Sequence, residues 1–281
     1  RTAWAQAMDR WQVVDVLRVA PSADVDPVAL RDETYSWPVV NPCRVDQVTA
    51  TGEYEDVSTL LVNARGLDAL QYLLYADADN ACPSQAAPNS DGAWDAIDDL
   101  DARRIAYAQA ITEDLVANAA AYRAAWTDAQ VPELQSVVDG LFVLESEVKD
   151  AKLGHPLGLV ECDTFDCAED AEGREEVDSI AWIGSNLEGF RDLFTGGGGQ
   201  GVDDLLAARG AADISDDILA LTDEAIQQAD ALEGHVGTLV TNDRTDLVAL
   251  YDTVDAIDEL LRVDLTGVLQ VQIPSEIGGD N

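Results

Sequence analysis

The chain has 281 residues, long enough for one large domain or two of modest size, and 47% of them are apolar, enough to fill a real core. Sixteen Lys and Arg residues against fifty-five Asp and Glu give a formal net charge of −39, a surface that repels nucleic acid and anionic lipid. No apolar run reaches the ~18 residues that a membrane-spanning helix needs.

Abundant alanine, leucine and aspartate with few aromatics favour helix over sheet. Trp4, Met8, Trp11 and Asp15 recur at helical spacing and predict a helix from Trp4 to Val19. Pro21 and Pro27 then break the pattern. Ser36-Trp37-Pro38 predicts the start of a new element, since proline suits a first helical turn. Gly66 to Tyr75 predicts a helix with Leu67, Leu70 and Leu74 on one face. Asn80 to Gly92 reads as loop. Asp91 is expected to cap a long helix running to about Asp128, with Trp94, Ile97, Ile105, Ile111, Leu115 and Tyr122 as apolar positions. Pro132 marks the next start, and Leu134, Val138, Leu141 and Val148 carry that helix to about Ala151.

Gly154 to Gly173 reads as a long loop holding Cys162 and Cys167, the kind of segment that is functional or stapled. Val177 to Phe194 is helical again, and Thr195 to Gly201 is Gly-rich. Asp213 to Leu232 and Asp243 to Leu261 are amphipathic helices. No alternating strand pattern occurs. The fold class is therefore all-α, two packed helical bundles, one over residues 1–128 and one over 129–281. Leu67-Asp68-Ala69-Leu70-Gln71-Tyr72-Leu73-Leu74-Tyr75 echoes Leu187-Glu188-Gly189-Phe190-Arg191-Asp192-Leu193-Phe194-Thr195, which points to an approximate internal duplication.

Cys43, Cys82, Cys162 and Cys167 allow three pairings. We expect Cys162–Cys167, closing a short loop, and Cys43–Cys82, which implies an oxidising compartment. A zinc site built from all four thiolates is the alternative, although no pair has the spacing of a zinc knuckle. The acidic surface reads as a means of solubility or of life in a salty medium; a cation-collecting surface is the sharper reading. Arg1-Thr2-Ala3-Trp4 is already helical in character, so a leader is expected to have been removed upstream, with a lipid anchor there left open.

Several chemistries fail on the residues. His155 and His235 are the only histidines, and no His-Glu-x-x-His or Gly-x-Ser-x-Gly occurs. Gly196 to Gly201 precedes a helix but lacks the Lys of a phosphate loop, and Asp203 and Asp204 follow. Asp77-Ala78-Asp79-Asn80 begins like an EF-hand, but Cys82 and Pro88 stand where Gly and Glu are required. His155 before Pro156 reads as a loop residue with a ligand role as the alternative. His235 reads as a helix-end residue near a C-terminus.

Four stretches, in order, carry a resemblance across nearly the whole chain. They are Trp4 to Trp11; Ser36-Trp37-Pro38-Val39-Val40-Asn41-Pro42-Cys43-Arg44-Val45-Asp46-Gln47; Gly66-Leu67-Asp68-Ala69-Leu70-Gln71; and Lys152-Leu153-Gly154-His155-Pro156-Leu157-Gly158 followed by the two-cysteine loop and Ser185-Asn186-Leu187. Together they resemble the imelysin family, a peptidase-like group of cell-envelope proteins, several of which are linked to iron regulation or uptake. The resemblance implies two helical bundles with a functional cleft between them, and a periplasmic or outer-membrane-associated location.

The third stretch departs from the family's Gly-x-His-x-x-Glu motif, with Asp68 for His and Gln71 for Glu. Both still share one helix face. One carboxylate and one amide are harder, weaker ligands than an imidazole and a carboxylate, and Gln71 cannot act as a general base. Asp68 stands as the metal candidate, for a divalent or ferric cation; zinc or iron held by these two residues alone is disfavoured, and calcium, more compatible than zinc, or no metal fits better. Gln71, Trp37, Asn41, Arg44, Asp46, Glu147, Lys152 and His155 complete the ligand-cleft candidates, Arg44 being offered to Asp46 or Asp68. Lys149 and Lys152 read first as cations favourable to a helix end. No catalytic residue is assigned. The leading reading is a binding protein for a metal ion, a small ligand or an envelope partner. A divergent metallopeptidase using His155 with Glu147, and a scaffold without a ligand, are the alternatives.

Overall fold

A computed structural model describes residues 1–19, 27–127, 132–174 and 177–274. Every regular element among them is helical. The chain divides into two units, Arg1–Ala5 with Pro21–Gln130 and Gln6–Ala20 with Val131–Asn281. This is not a single cut after residue 128, because Gln6–Ala20 groups with the later half of the chain. Pro21 and Asp128, read above as a helix breaker and a helix end, lie outside the described residues.

The first unit holds the start of α1 (Thr2–Asp15), with α2 (Pro27–Thr34), α3 (Pro42–Thr51), α4 (Gly66–Tyr75) and α5 (Leu100–Thr127). Trp4 is buried, packs edge-on to Tyr75 and donates its indole N–H to the Leu67 carbonyl at 3.0 Å. Ser36-Trp37-Pro38 does not open a helix. It forms a turn with a cis Trp37–Pro38 bond, and α3 starts at Pro42 instead. Asn41 there is the better cap, because its side chain accepts the Arg44 N–H at 2.9 Å. Helix α4 keeps its predicted limits. Its first residue, Gly66, has φ +83°, and a Cβ there would lie 2.7 Å from the Thr34 carbonyl oxygen, so only glycine fits.

Helix α5 starts nine residues later than expected, at Leu100 rather than Asp91. Asp91 caps a turn, accepting the Ala93 N–H at 3.0 Å, and Trp94 ties that segment down by donating to the Ala78 carbonyl at 3.1 Å. Tyr107 and Ile111 form the buried face of α5, while Ile105 is 60% exposed.

The second unit is built on α6 (Leu134–Leu141), α7 (Ser179–Thr195), α8 (Val202–Ala208), α9 (Ala212–Asp230), α10 (Val236–Asn242), α11 (Thr245–Glu259) and α12 (Thr266–Leu269). Its apolar core takes in Leu141, Phe142, Ile183, Leu187, Phe190, Ile218, Leu250, Val254 and Ile257. Where a continuous α-helix to Ala151 was expected, Leu144–Gly154 winds as a π-helix. Its buried residues Leu144, Val148 and Lys152, and beside them Glu145, Lys149 and Leu153, recur every four positions. In an α-helix that spacing drifts by ~40° per step around the axis. A four-residue repeat lies between the α and π periods, and both rows are buried.

Gly189 of α7 packs against the α1 backbone, and a Cβ there would overlap the Val13 carbonyl oxygen. Gly189→Ala is expected to destabilise the second unit by about 1–3 kcal/mol through overpacking against a rigid backbone. Urea denaturation followed by circular dichroism measures it, and an unchanged midpoint would contradict this contact.

Candidate functional site

Asp68 and Gln71 are both buried on α4, one turn apart. The Gln71 Nε2 amide has no hydrogen-bond partner among the described residues. On α3, Asp46 is fully buried. Its Oδ2 accepts the Tyr72 hydroxyl of α4 at 2.6 Å and the Ala81 N–H at 2.8 Å, and its Oδ1 lies 4.0 Å from Arg104 Nη2 of α5. The Cys43–Cys82 disulfide fastens the segment after α4 to α3 beside this carboxylate. The Asn89 Nδ2–Cys82 carbonyl bond at 2.7 Å and the Gln47 Nε2–Ala87 carbonyl bond at 3.1 Å hold that segment as well.

Burial raises the Asp46 carboxyl above the ordinary Asp range; the Tyr72 and Ala81 hydrogen bonds and the Arg104 charge only partly offset it. The folded chain therefore holds this proton more tightly than the unfolded one. The stability so contributed is complete below the ordinary Asp value and is lost as pH rises through the raised one. Asp46→Asn is expected to flatten that fall. Urea midpoints across the acid range measure it, and parallel pH profiles for the two proteins would contradict it.

The other candidates of the first unit have structural partners. Trp37 is buried, and its carbonyl accepts from Arg31 Nη1 at 2.6 Å. Asn41 is the α3 cap. Arg44 reaches Gln47 Oε1 at 3.3 Å, not the Asp46 or Asp68 offered as its partner.

In the second unit, Lys152 is only 1% exposed and is no solvated helix-end cation. Its Nζ donates to Gln12 Oε1 at 2.7 Å and Asn186 Oδ1 at 2.9 Å, and pairs with Glu172 at 3.1 Å and Asp15 at 3.4 Å. Gln12 Nε2 donates to Glu172 at 2.9 Å, and Asn186 Nδ2 to the Gln12 carbonyl at 2.6 Å. All four partners are buried. Glu147 pairs with Arg18 at 2.5 Å.

The lysine one turn earlier, Lys149, meets Asp255 at 3.2 Å, Asp258 at 3.3 Å and Glu145 at 3.5 Å. Burial works against its charge, but Asp150, Asp258, Glu145 and Asp255 together carry its pKa above the usual lysine value. His155 Nε2 lies 3.2 Å from Asp170 Oδ2. Among the described residues these two and Cys167 form the one acidic, histidine and cysteine group with ligand atoms within 4.8 Å of one another. Cys167, however, is bonded to Cys162.

Gln12, Glu172 and Asn186 had not been read as site residues. Asn186 lies inside the fourth quoted stretch, and Gln12 follows the first. The signal was the scarcity of lysine in so acidic a chain, which demands acidic and amide partners for a lysine turned inward.

Residues 1–263 match the family model described as Imelysin. The chain belongs to the imelysin family. A crystal structure of an imelysin-like protein from Psychrobacter arcticum 273-4 shares the fold, with a TM-score of 0.63 at 15% identity over 96% of this chain and 80% of that one. No curated protein sequence matches.

In this imelysin the resemblance's metal motif offers a carboxylate and a neutral amide at Asp68 and Gln71. A zinc or iron ion of the motif type would require an imidazole nitrogen and a second anionic oxygen. Gln71 instead brings a neutral amide with no anionic oxygen, so these two residues do not fit a zinc or ferrous ion. The His155–Asp170 pair does not replace them, since a disulfide sulfur is no thiolate ligand. Both disulfides are formed, which removes the four-thiolate zinc alternative.

Proposed function

We propose that this imelysin is an extracytoplasmic binding protein that does not cleave peptides. The observation that carries the reading is the pairing of Asp68 with Gln71 on the buried face of α4. A carboxylate and an amide can recognise a ligand by charge and hydrogen bonding, but they lack the general base and the nitrogen donor of metal-assisted hydrolysis. Two disulfides in a chain of this size support an oxidising compartment such as the periplasm.

Iron or other metal acquisition is the setting that the resemblance implies. The oxygen donors favour a hard ion, ferric or calcium, or a polar molecule with acceptor oxygens to meet Gln71. Calorimetric titration with ferric, ferrous, calcium and zinc ions and with ferric citrate tests this. Binding of ferric ion, calcium or ferric citrate above the generic acidic background, lost in Asp68→Ala, is expected. Identical isotherms for wild type and Asp68→Ala with every titrant would overturn it.

A further inference from the structure

The short disulfide loop of the second unit gathers a donor set that α4 lacks. His155, Cys167 and Asp170 each bring one ligand atom to within 4.8 Å of the others, and His155 Nε2 stands 3.2 Å from Asp170 Oδ2. Cys162 Sγ is bonded to the Cys167 sulfur, so a second sulfur lies beside the group. An imidazole nitrogen, two sulfurs and a carboxylate oxygen are the ligand types of four-coordinate zinc. Nitrogen and oxygen ligands on a tetrahedral zinc stand ~3.4 Å apart, close to the His155–Asp170 separation. What keeps such an ion out is the S–S bond, which leaves neither sulfur anionic.

The loop is held by more than that bond. Cys167 N–H donates to the Pro156 carbonyl at 3.1 Å, and Thr164 Oγ1 to the Asp166 carbonyl at 2.6 Å. Arg244 donates to the carbonyls of Leu157 and Phe165. The Phe165 carbonyl packs where any Cβ on Gly158 would sit. A bridge between residues only 5 apart adds little loop-closure entropy to these contacts. Opening it therefore leaves His155, Cys167 and Asp170 together. Both cysteines are half-buried, so a thiol reductant can reach the bridge.

We propose that reduction of Cys162–Cys167 creates a zinc-type metal site formed by the two freed thiolates, His155 Nε2 and Asp170. The step is a two-electron exchange. A dithiol reductant attacks the bridge, its own sulfurs end joined as a disulfide, and its two protons pass to Cys162 and Cys167. The metal displaces those protons to water as it binds the thiolates. Freed of their bond, the sulfurs can separate to the ~3.8 Å that two thiolates ~2.3 Å from zinc span. Metal uptake at this loop is then switched on by reduction and off by oxidation, independently of the α4 reading.

Cobalt(II) is the probe, because thiolate ligation gives it a charge-transfer band that zinc abolishes by competition. Cys162→Ser leaves Cys167 as a free thiol with no reductant present, so the Cys43–Cys82 bridge stays intact. A saturable band is expected in Cys162→Ser, and in the wild-type chain reduced with dithiothreitol and freed of it anaerobically. None is expected in the oxidised wild type or in reduced Cys162→Ser/Cys167→Ser. Adding His155→Ala or Asp170→Asn to Cys162→Ser is expected to weaken binding about tenfold or more, as loss of a ligand must cost at least what loss of a ligand's supporting group does. Three results would overturn the proposal: no band in either Cys162→Ser or the reduced wild type, an affinity unchanged by both His155→Ala and Asp170→Asn, or an equal band in reduced Cys162→Ser/Cys167→Ser.

Discussion

Lys152→Met is expected to destabilise the second unit by about 3–5 kcal/mol, because it takes from buried Asp15 and Glu172 the ammonium that both face. For a unit of this size that corresponds to a fall in midpoint of roughly 10 °C. Lysine holds this place through geometry as well as charge. Its ammonium satisfies Gln12 and Asn186 while facing two carboxylates, and the Gln12–Glu172 and Asn186–Gln12 hydrogen bonds close the network. Removing the charges together with the lysine, as in Asp15→Asn/Lys152→Met/Glu172→Gln, is expected to restore much of the loss, since uncharged groups carry a far smaller desolvation cost. Thermal and urea denaturation of the single and triple variants measure both effects. A single variant within 1 kcal/mol of wild type would show that the network is not closed as described.

The second large effect belongs to the first unit. Cys43→Ala/Cys82→Ala opens a cross-link between residues 39 apart, and the loop-closure entropy returned to the unfolded chain is worth about 3–4 kcal/mol. Cys162–Cys167, only 5 apart, is worth about 2 kcal/mol on the same account. The larger bridge also holds the segment whose Ala81 N–H bonds to Asp46 and whose Trp94 stacks with Arg104. Loss of the bridge is therefore expected to free Trp94 and shift its fluorescence before the chain unfolds. Denaturation with tryptophan emission as readout checks this. A larger loss from Cys162→Ala/Cys167→Ala than from Cys43→Ala/Cys82→Ala would contradict it.

Legibility from sequence followed periodicity. Helices α4, α7, α9 and α11 carry strong apolar rows, and their limits were readable to within a few residues. Helix α5 was read to start too early because Trp94 and Ile97 fit an apolar row, yet the Asp91 side chain closes a turn instead. The π-helix was hidden for a related reason. A repeat of four residues is close enough to 3.6 to pass for an ordinary helix over two turns. Lys152 was misread because exposure is the usual state of lysine, and its partners come from α1, α7 and the segment around Glu172, far apart in sequence. His235 was read as lying near a helix C-terminus because Gly234 and Gly237 flank it, whereas it directly precedes α10. Asp68 and Gln71 were singled out by the resemblance alone, and both fall among the buried residues of α4.

The most direct measurement is cleavage of an unfolded protein substrate by the purified chain, with and without a zinc chelator. With a carboxylate and a neutral amide at Asp68 and Gln71 of α4, no hydrolysis above the chelated control is predicted. Turnover that the chelator abolishes, and that disappears in Asp68→Ala, would contradict the assignment.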